Sequence, residues 1–273
     1  MKKKISLIFK VIIFTVIFIF ILLGAFMDFS SRVQYVLNTS TRRMTSIKNL
    51  FINKSYLDKV VEFNDKNLER AIRQEINKPT GDVYASDVFN IKMLELKDNN
   101  ITDISPLADL TNLEDLVLTD NNIADISVLG NLVNLKRLSL TDNNITDISP
   151  LSNLTNLEWL NFEVNNITDI SALANLTNLE MLGLGLNNIK DISPLANLTH
   201  LKILAFEMNN ITDISALSNL NNLKWLYINN NKITDISALS NLINLENLEL
   251  SGNNITDFSP LDKLPYINRA DYE

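Results

Sequence analysis

The sequence predicts an α/β solenoid, a stack of short coils sharing one parallel sheet. Three observations carry that prediction. Ile101, Ile123, Ile145, Ile167, Ile189, Ile211, Ile233 and Ile255 recur every 22 residues with no insertion. Around each stands the pattern L-x-x-L-x-L-x-x-N-x-I-x-D-I-S-x-L-x-x-L, with few exceptions. No single copy holds enough apolar surface to close a core of its own, so the copies must stack to bury it.

The first segment, residues 1–27, reads as a membrane anchor. Lys2, Lys3 and Lys4 precede an apolar run over residues 5–26 whose one charge is Lys10. At about 1.5 Å per residue the run reaches about 33 Å, enough for one transmembrane helix across a hydrocarbon core about 30 Å thick. Lys10 lies near its end and snorkels toward the headgroups. Lysines gather on the cytoplasmic flank, which places the amino terminus inside and the remainder outside a cell membrane. The alternative is a cleaved signal peptide and a secreted product. The exit LLGAFMDFSS offers Ala25 without a small residue two positions before it, which favours the retained anchor. Residues 28–60 form a basic linker, with Arg32, Arg42, Arg43, Lys48, Lys54 and Lys59 against Asp28 and Asp58.

Residues 61–90 predict a helical cap. Asn64 is placed to cap a short helix, and Phe63 and Leu68 stand at the spacing of a hydrophobic staple. Leu68, Ile72 and Ile76 form its apolar stripe, and Pro79 and Gly81 end it. Such a helix has to lie over something apolar, and the open end of the solenoid is adjacent.

Residues 91–273 hold eight 22-residue repeats and a partial ninth, the pattern of a leucine-rich repeat. In LEDLVLTDN, Leu116 and Leu118 alternate with Asp115, Val117 and Thr119, so the leucines point inward from a short strand and the others face out. The strands line the concave face, and short helical or 3-10 turns line the convex one. The Asn at 99, 121, 143, 165, 187, 209, 231 and 253 is set to satisfy backbone groups where the chain turns inward. In DISPL at 103, 147 and 191, Ser is expected to cap the turn with Pro in its first position, and Asp103 and its copies to accept backbone hydrogens. Leu107 and Leu110 bury that turn. Calcium-binding solenoids need a Gly-rich nonapeptide, which is absent here. At the far end, Ile267, Ala270 and Tyr272 fall at strand positions and predict the partial ninth strand.

Composition narrows function. The net charge is -8, and residues 91–273 carry 10 Lys or Arg against 24 Asp or Glu. Such a body repels nucleic acid, whose binding needs cationic contacts to phosphate. The absence of Cys excludes disulfides, thiolate metal sites and cysteine nucleophiles. The one histidine, His200, replaces the Asn of TNL and reads as a surface substitution. There is no phosphate-cradling Gly loop and no catalytic constellation, so neither an enzyme nor a cofactor is expected.

The variable positions carry the functional signal. The first outward column runs Met93, Asp115, Arg137, Trp159, Met181, Ile203, Trp225 and Asn247, and holds both tryptophans of the chain. Trp159, Met181, Ile203 and Trp225, with Tyr227 beside them, form an exposed aromatic and methionine patch, edged by Arg137, Glu163 and Glu207. Gly183, Gly185 and Ala205 leave a hollow between the aromatics, and Val164, Leu186 and Met208 stand at the strand exits. Clustered Trp, Tyr and Met with a polar border suit the core of a protein interface. Two other readings remain open: a structural envelope component that self-associates through Ile267 and Tyr272, and glycan binding through Trp159 and Trp225.

The 22-residue period, phrases such as NNITDISPLANLTNLEMLGL, and the cap residues Phe63, Asp65, Leu68, Ala71 and Ile72 together resemble the internalin family of Gram-positive surface proteins. The resemblance covers about residues 61–272. It implies a curved repeat domain whose concave aromatic residues engage a protein partner, from a host or from the bacterial envelope. By position Trp159, Trp225 and Tyr227 correspond to those contacts.

Overall fold

The computed structural model describes residues 59–267. The predicted anchor, nearly all of the basic linker, and Ala270 and Tyr272 of the predicted ninth strand lie outside the described residues. Among the described residues no helix is long and apolar enough to cross a membrane.

The cap is built from two helices, α1 (Lys66–Glu75) and α2 (Ala85–Val88). The N-cap of α1 is Asp65, not Asn64: Asp65 has extended backbone, and its Oδ1 accepts from the N–H groups of Asn67 and Leu68 at 2.8 and 3.1 Å. A carboxylate at that position adds charge to the bond and faces the positive end of the helix dipole, so it outcompetes the neutral amide. The shift moves Phe63 and Leu68 off the staple positions, although Leu68 is buried and Phe63 packs against the core. Termination also differs from the Pro79 and Gly81 signal. Asn77 adopts φ 50, Lys78 N–H donates to Arg73 O at 2.9 Å and Asn77 N–H to Gln74 O at 3.1 Å. This is the left-handed closure that Asn tolerates nearly as well as Gly. A bridge between Val60 and Tyr84 ties the start of the described chain to α2. Leu68, Ile72, Val83 and Val88 join the same apolar cluster as the leucines of the coils, so the cap covers the open end of the stack.

Eight three-residue strands follow: β1 (Met93–Glu95), β2 (Asp115–Val117), β3 (Arg137–Ser139), β4 (Trp159–Asn161), β5 (Met181–Gly183), β6 (Ile203–Ala205), β7 (Trp225–Tyr227) and β8 (Asn247–Glu249). They form one parallel sheet in sequence order. Each residue pairs with the one 22 positions on, as Trp159 does with Met181 and Ile203 with Trp225. The columns read from sequence are therefore the columns of the sheet. Leu116 and Leu118 and their equivalents are wholly buried, and Phe162 and Phe206 fill leucine positions at the same depth.

Two ladders of side-chain hydrogen bonds join the coils. In the inner one, Asn165 Oδ1 accepts from Ile145 N–H at 2.9 Å, while its Nδ2 donates to Leu140 O at 2.8 Å and Phe162 O at 3.1 Å. One buried amide thus satisfies backbone groups in two coils. An outer ladder was not foreseen: Asn134, Asn156, Asn178, Asn222 and Asn244 each donate Nδ2 to the carbonyl 23 residues earlier. His200 stands in this series, its Nδ1 at 2.8 Å from Thr177 O. The histidine replaces asparagine because a protonated Nδ1 reaches the same acceptor.

On the other side of each coil runs a 3-10 turn such as Ser105–Asp109. Ser105 does not cap it. Asp103 Oδ1 accepts from Ser105 N–H at 2.8 Å, and the arrangement repeats at Asp125, Asp147, Asp169, Asp191, Asp213, Asp235 and Asp257. The Asx turn forms two residues earlier than a Ser cap and is strengthened by the carboxylate charge. The hydrogen bond from Ser105 holds the Asp103 carboxyl below its ordinary range.

Candidate partner-binding surface

Every predicted contact residue stands on the outward side of the strands or just beyond them, and they divide into two groups. Trp159 is half-buried, with the Arg137 guanidinium 5.4 Å from the centre of its ring. Arg137 also approaches Asp115, with Nε 3.4 Å from Oδ2. A cation over an indole face is favourable, so Arg137 covers Trp159 and leaves less of it for a partner.

The second group encloses a hollow of about 500 Å³, lined by Glu163, Met181, Ile203, Ala205, Glu207, Trp225, Tyr227, Asn229 and Glu249. It spans β5 to β8 and does not reach Trp159 or Arg137. The hollow thus reaches from Glu163, just past β4, to Glu249, with Ala205, Trp225 and Tyr227 among its lining and Trp159, Gly183 and Gly185 outside it. Side chains cover the glycine floor there. A Cβ on Gly183 would lie 2.7 Å from Asn161 Oδ1 and 3.0 Å from Glu163 Oε1, and one on Gly185 would collide with the Glu207 carboxylate. Glycine at 185 is therefore what allows Glu207 to fold down onto the sheet. Trp225 is 40% exposed and forms the open wall.

Glu207 is the electrostatic centre of this group. Burial pushes its carboxyl up from the usual carboxylate range, and Glu163 and Glu249 add to the rise. Its Oε2 and the Oδ1 of Asn229 are buried without a hydrogen-bond partner. Asn229 and Glu249 were not chosen from sequence. The 22-residue register does point to them, because they follow Glu207 and Tyr227 by one repeat.

Beyond the strands, the position before each inner-ladder Asn is left-handed in every described coil. Asp98, Asp120, Asp142, Asn230 and Gly252 hold it in five coils, as expected of residues that tolerate positive φ. Val164, Leu186 and Met208 hold it in the three coils beside the hollow, at φ 56, 54 and 55. All three are exposed, by 38%, 44% and 49%. The turn imposes this backbone on every coil; what sets these three apart is an exposed apolar side chain where the other coils place Asp, Asn or Gly.

A family model for leucine-rich repeats, in two-copy units, matches residues 90–131, 133–175, 177–219 and 221–263. Among solved structures, internalin C2 from Listeria monocytogenes is 37% identical, covers 75% of this chain and 91% of its own, and superposes with a TM-score of 0.72. The chain belongs to the internalin-like leucine-rich repeat family. A second internalin of the same organism, inlF, is 35% identical over 75% of this chain and 74% of its own, with a TM-score of 0.59. The leucine-rich repeat ectodomain of the Arabidopsis thaliana receptor kinase GASSHO1/SCHENGEN3 was solved in complex with CASPARIAN STRIP INTEGRITY FACTOR 2. It is 28% identical over 64% of this chain and 23% of its own, with a TM-score of 0.59. No curated protein sequence matches the chain. Membership of this internalin-like family makes the repeat domain a protein–protein interaction module.

Proposed function

We propose that this internalin-like chain is a non-enzymatic receptor module that holds a protein partner on its strand face. Contact runs through Met181, Ile203, Trp225 and Tyr227 and extends over the ridge of Val164, Leu186 and Met208. The observation that carries the reading is that ridge. A left-handed conformation costs a side-chain-bearing residue roughly 1–2 kcal/mol, and three adjacent coils accept it at exposed apolar positions. The backbone form itself serves the coil, since the N–H groups of Val164, Leu186 and Met208 bond the next coil, but Asn or Gly would adopt it at lower cost; a partner that covers the apolar side chains accounts for the choice. The plant ectodomain, solved in complex with CASPARIAN STRIP INTEGRITY FACTOR 2, supports a recognition role for a repeat domain of this kind. The basic, apolar amino-terminal segment supports display from the outer side of a bacterial membrane.

The test is capture of partners by the full chain from envelope and host-cell extracts, compared with Trp225→Ala and Leu186→Ala. Both variants should lose the captured protein while keeping the thermal transition of the parent. Capture indifferent to both substitutions rejects the reading. Sequencing of the mature amino terminus from membrane fractions tests the display, and a first residue beyond Phe26 rejects it.

A further inference from the structure

We propose that the hollow between β5 and β8 seats an arginine side chain of the protein partner, a proposal that rests on the recognition reading above and gives the site its chemistry. The charged residues lining the hollow are all acidic, Glu163, Glu207 and Glu249, and its other polar groups are the Asn229 amide, the Tyr227 hydroxyl and the Trp225 indole N–H. No lysine or arginine lines it. Its remaining walls are the aromatic faces of Trp225 and Tyr227 and the apolar side chains of Met181 and Ile203.

That combination selects for a particular ligand group. An anion would meet three carboxylates, and a neutral apolar group would leave buried acceptors unpaired. A guanidinium stacks on aromatic rings, brings five donors in one plane, and is more weakly hydrated than an ammonium group. Its aliphatic stem suits the Met181 and Ile203 walls.

Glu207 and Asn229 supply the second line of argument. Each has a buried oxygen with no hydrogen-bond partner, Oε2 and Oδ1 respectively. Such an arrangement is unfavourable, most of all for a carboxylate that also feels Glu163 and Glu249. A guanidinium would relieve it by providing donors and opposite charge together. Glu207 Oε2 and Asn229 Oδ1 both lie within the wall, so seating the ligand requires side-chain rotations that turn these oxygens into the hollow.

The chain has two tryptophans, so Trp159→Phe in the full chain leaves Trp225 as the single indole reporter. The probe is N-acetyl-arginine methylamide, with the uncharged, nearly isosteric citrulline derivative as comparison. Arginine should produce a saturable change in Trp225 emission, and citrulline should bind about tenfold more weakly, because charge-assisted bonds are roughly twice as strong as neutral ones. Glu207→Gln should lower arginine affinity about tenfold on the same ground. The exposed Glu249→Gln should lower it by a smaller factor and serves as the second variant if Glu207→Gln disturbs folding. Equal responses to arginine and citrulline, or arginine binding unchanged by both substitutions, overturns the proposal. The two readings fail separately. A captured protein that depends on Trp225 but ignores Glu207→Gln defeats the arginine site alone, whereas arginine binding without any captured protein defeats the recognition reading alone.

Discussion

Asp65 and Thr102, in the cap and the first coil, are joined through one carboxylate oxygen: Asp65 Oδ2 accepts from the Thr102 N–H at 2.7 Å and from its hydroxyl at 2.9 Å. The same oxygen also accepts from Asp103 N–H at 3.2 Å, while Oδ1 caps α1. One side chain therefore starts the helix and fastens it to the repeats.

Burial opposes ionisation of Asp65, yet hydrogen bonds from Thr102, Leu68 and Asp103 together outweigh it and hold the pKa at about 2. A depressed folded-state pKa contributes stability that is complete above the ordinary aspartate value of 3.8 and is lost as pH falls toward about 2. Asp65→Ala should cost about 2–3 kcal/mol near neutrality, from the lost cap and the unpaired donors left behind. Urea unfolding should show that difference shrink through the acid range. A difference independent of pH would refute the assignment.

The inner ladder predicts a contrast between neighbours. Asn165→Ala removes one acceptor and two donors from buried backbone partners, at about 1–3 kcal/mol per group left unpaired, so a loss of several kcal/mol is expected. Asn166 is exposed, and Asn166→Ala should change stability by less than about 0.5 kcal/mol. Chemical denaturation of the two variants checks this directly.

The left-handed ridge predicts stabilising substitutions. Asn230 holds the equivalent conformation in the seventh coil, so Leu186→Asn and Val164→Asn should each raise stability by about 0.5–1 kcal/mol. The same changes should weaken partner capture. Melting curves that fall with these substitutions would remove the argument from strain.

Glu207 predicts a pH dependence of the opposite sign to Asp65. Its folded-state carboxyl is raised, so the ionised form destabilises the fold, and that penalty is relieved as pH falls through the raised value. Glu207→Gln should therefore stabilise the protein near neutrality, with an advantage that disappears below the ordinary glutamate value of 4.5. Paired thermal melts across that range test it, and an advantage that persists in acid counts against it.

The frame was legible because a 22-residue period fixes which residues are neighbours. Once Trp159 was placed above Met181, the pairing of every strand followed. The details that escaped are competitions among near-equivalent polar groups. Asn64 and Asp65 both suit an N-cap, and so do Ser105 and Asp103 at the turns. In both cases the carboxylate prevailed, because its bond carries charge. The site was half legible. Periodicity placed Trp225 and Tyr227 together, but it could not show that Arg137 would cover Trp159 or that Glu207 would fold over Gly185. Those outcomes depend on side-chain rotation, which spacing does not encode. The ridge was visible as three apolar letters in a column of Asp, Asn and Gly, though its significance needed the backbone angles.

Each coil hands its bonds to the next by one rule, with partners 20, 22, 23 or 25 positions apart and no exception for insertions. Excising one whole period, such as residues 121–142, would keep these frame bonds at the new junction while taking Arg137 away from Trp159 and Asp115. Because each coil leans only on its neighbours, a chain with one period more or fewer would have the same frame to fold into. Length then becomes a heritable variable that slides Trp225 nearer to, or farther from, the cap without altering either.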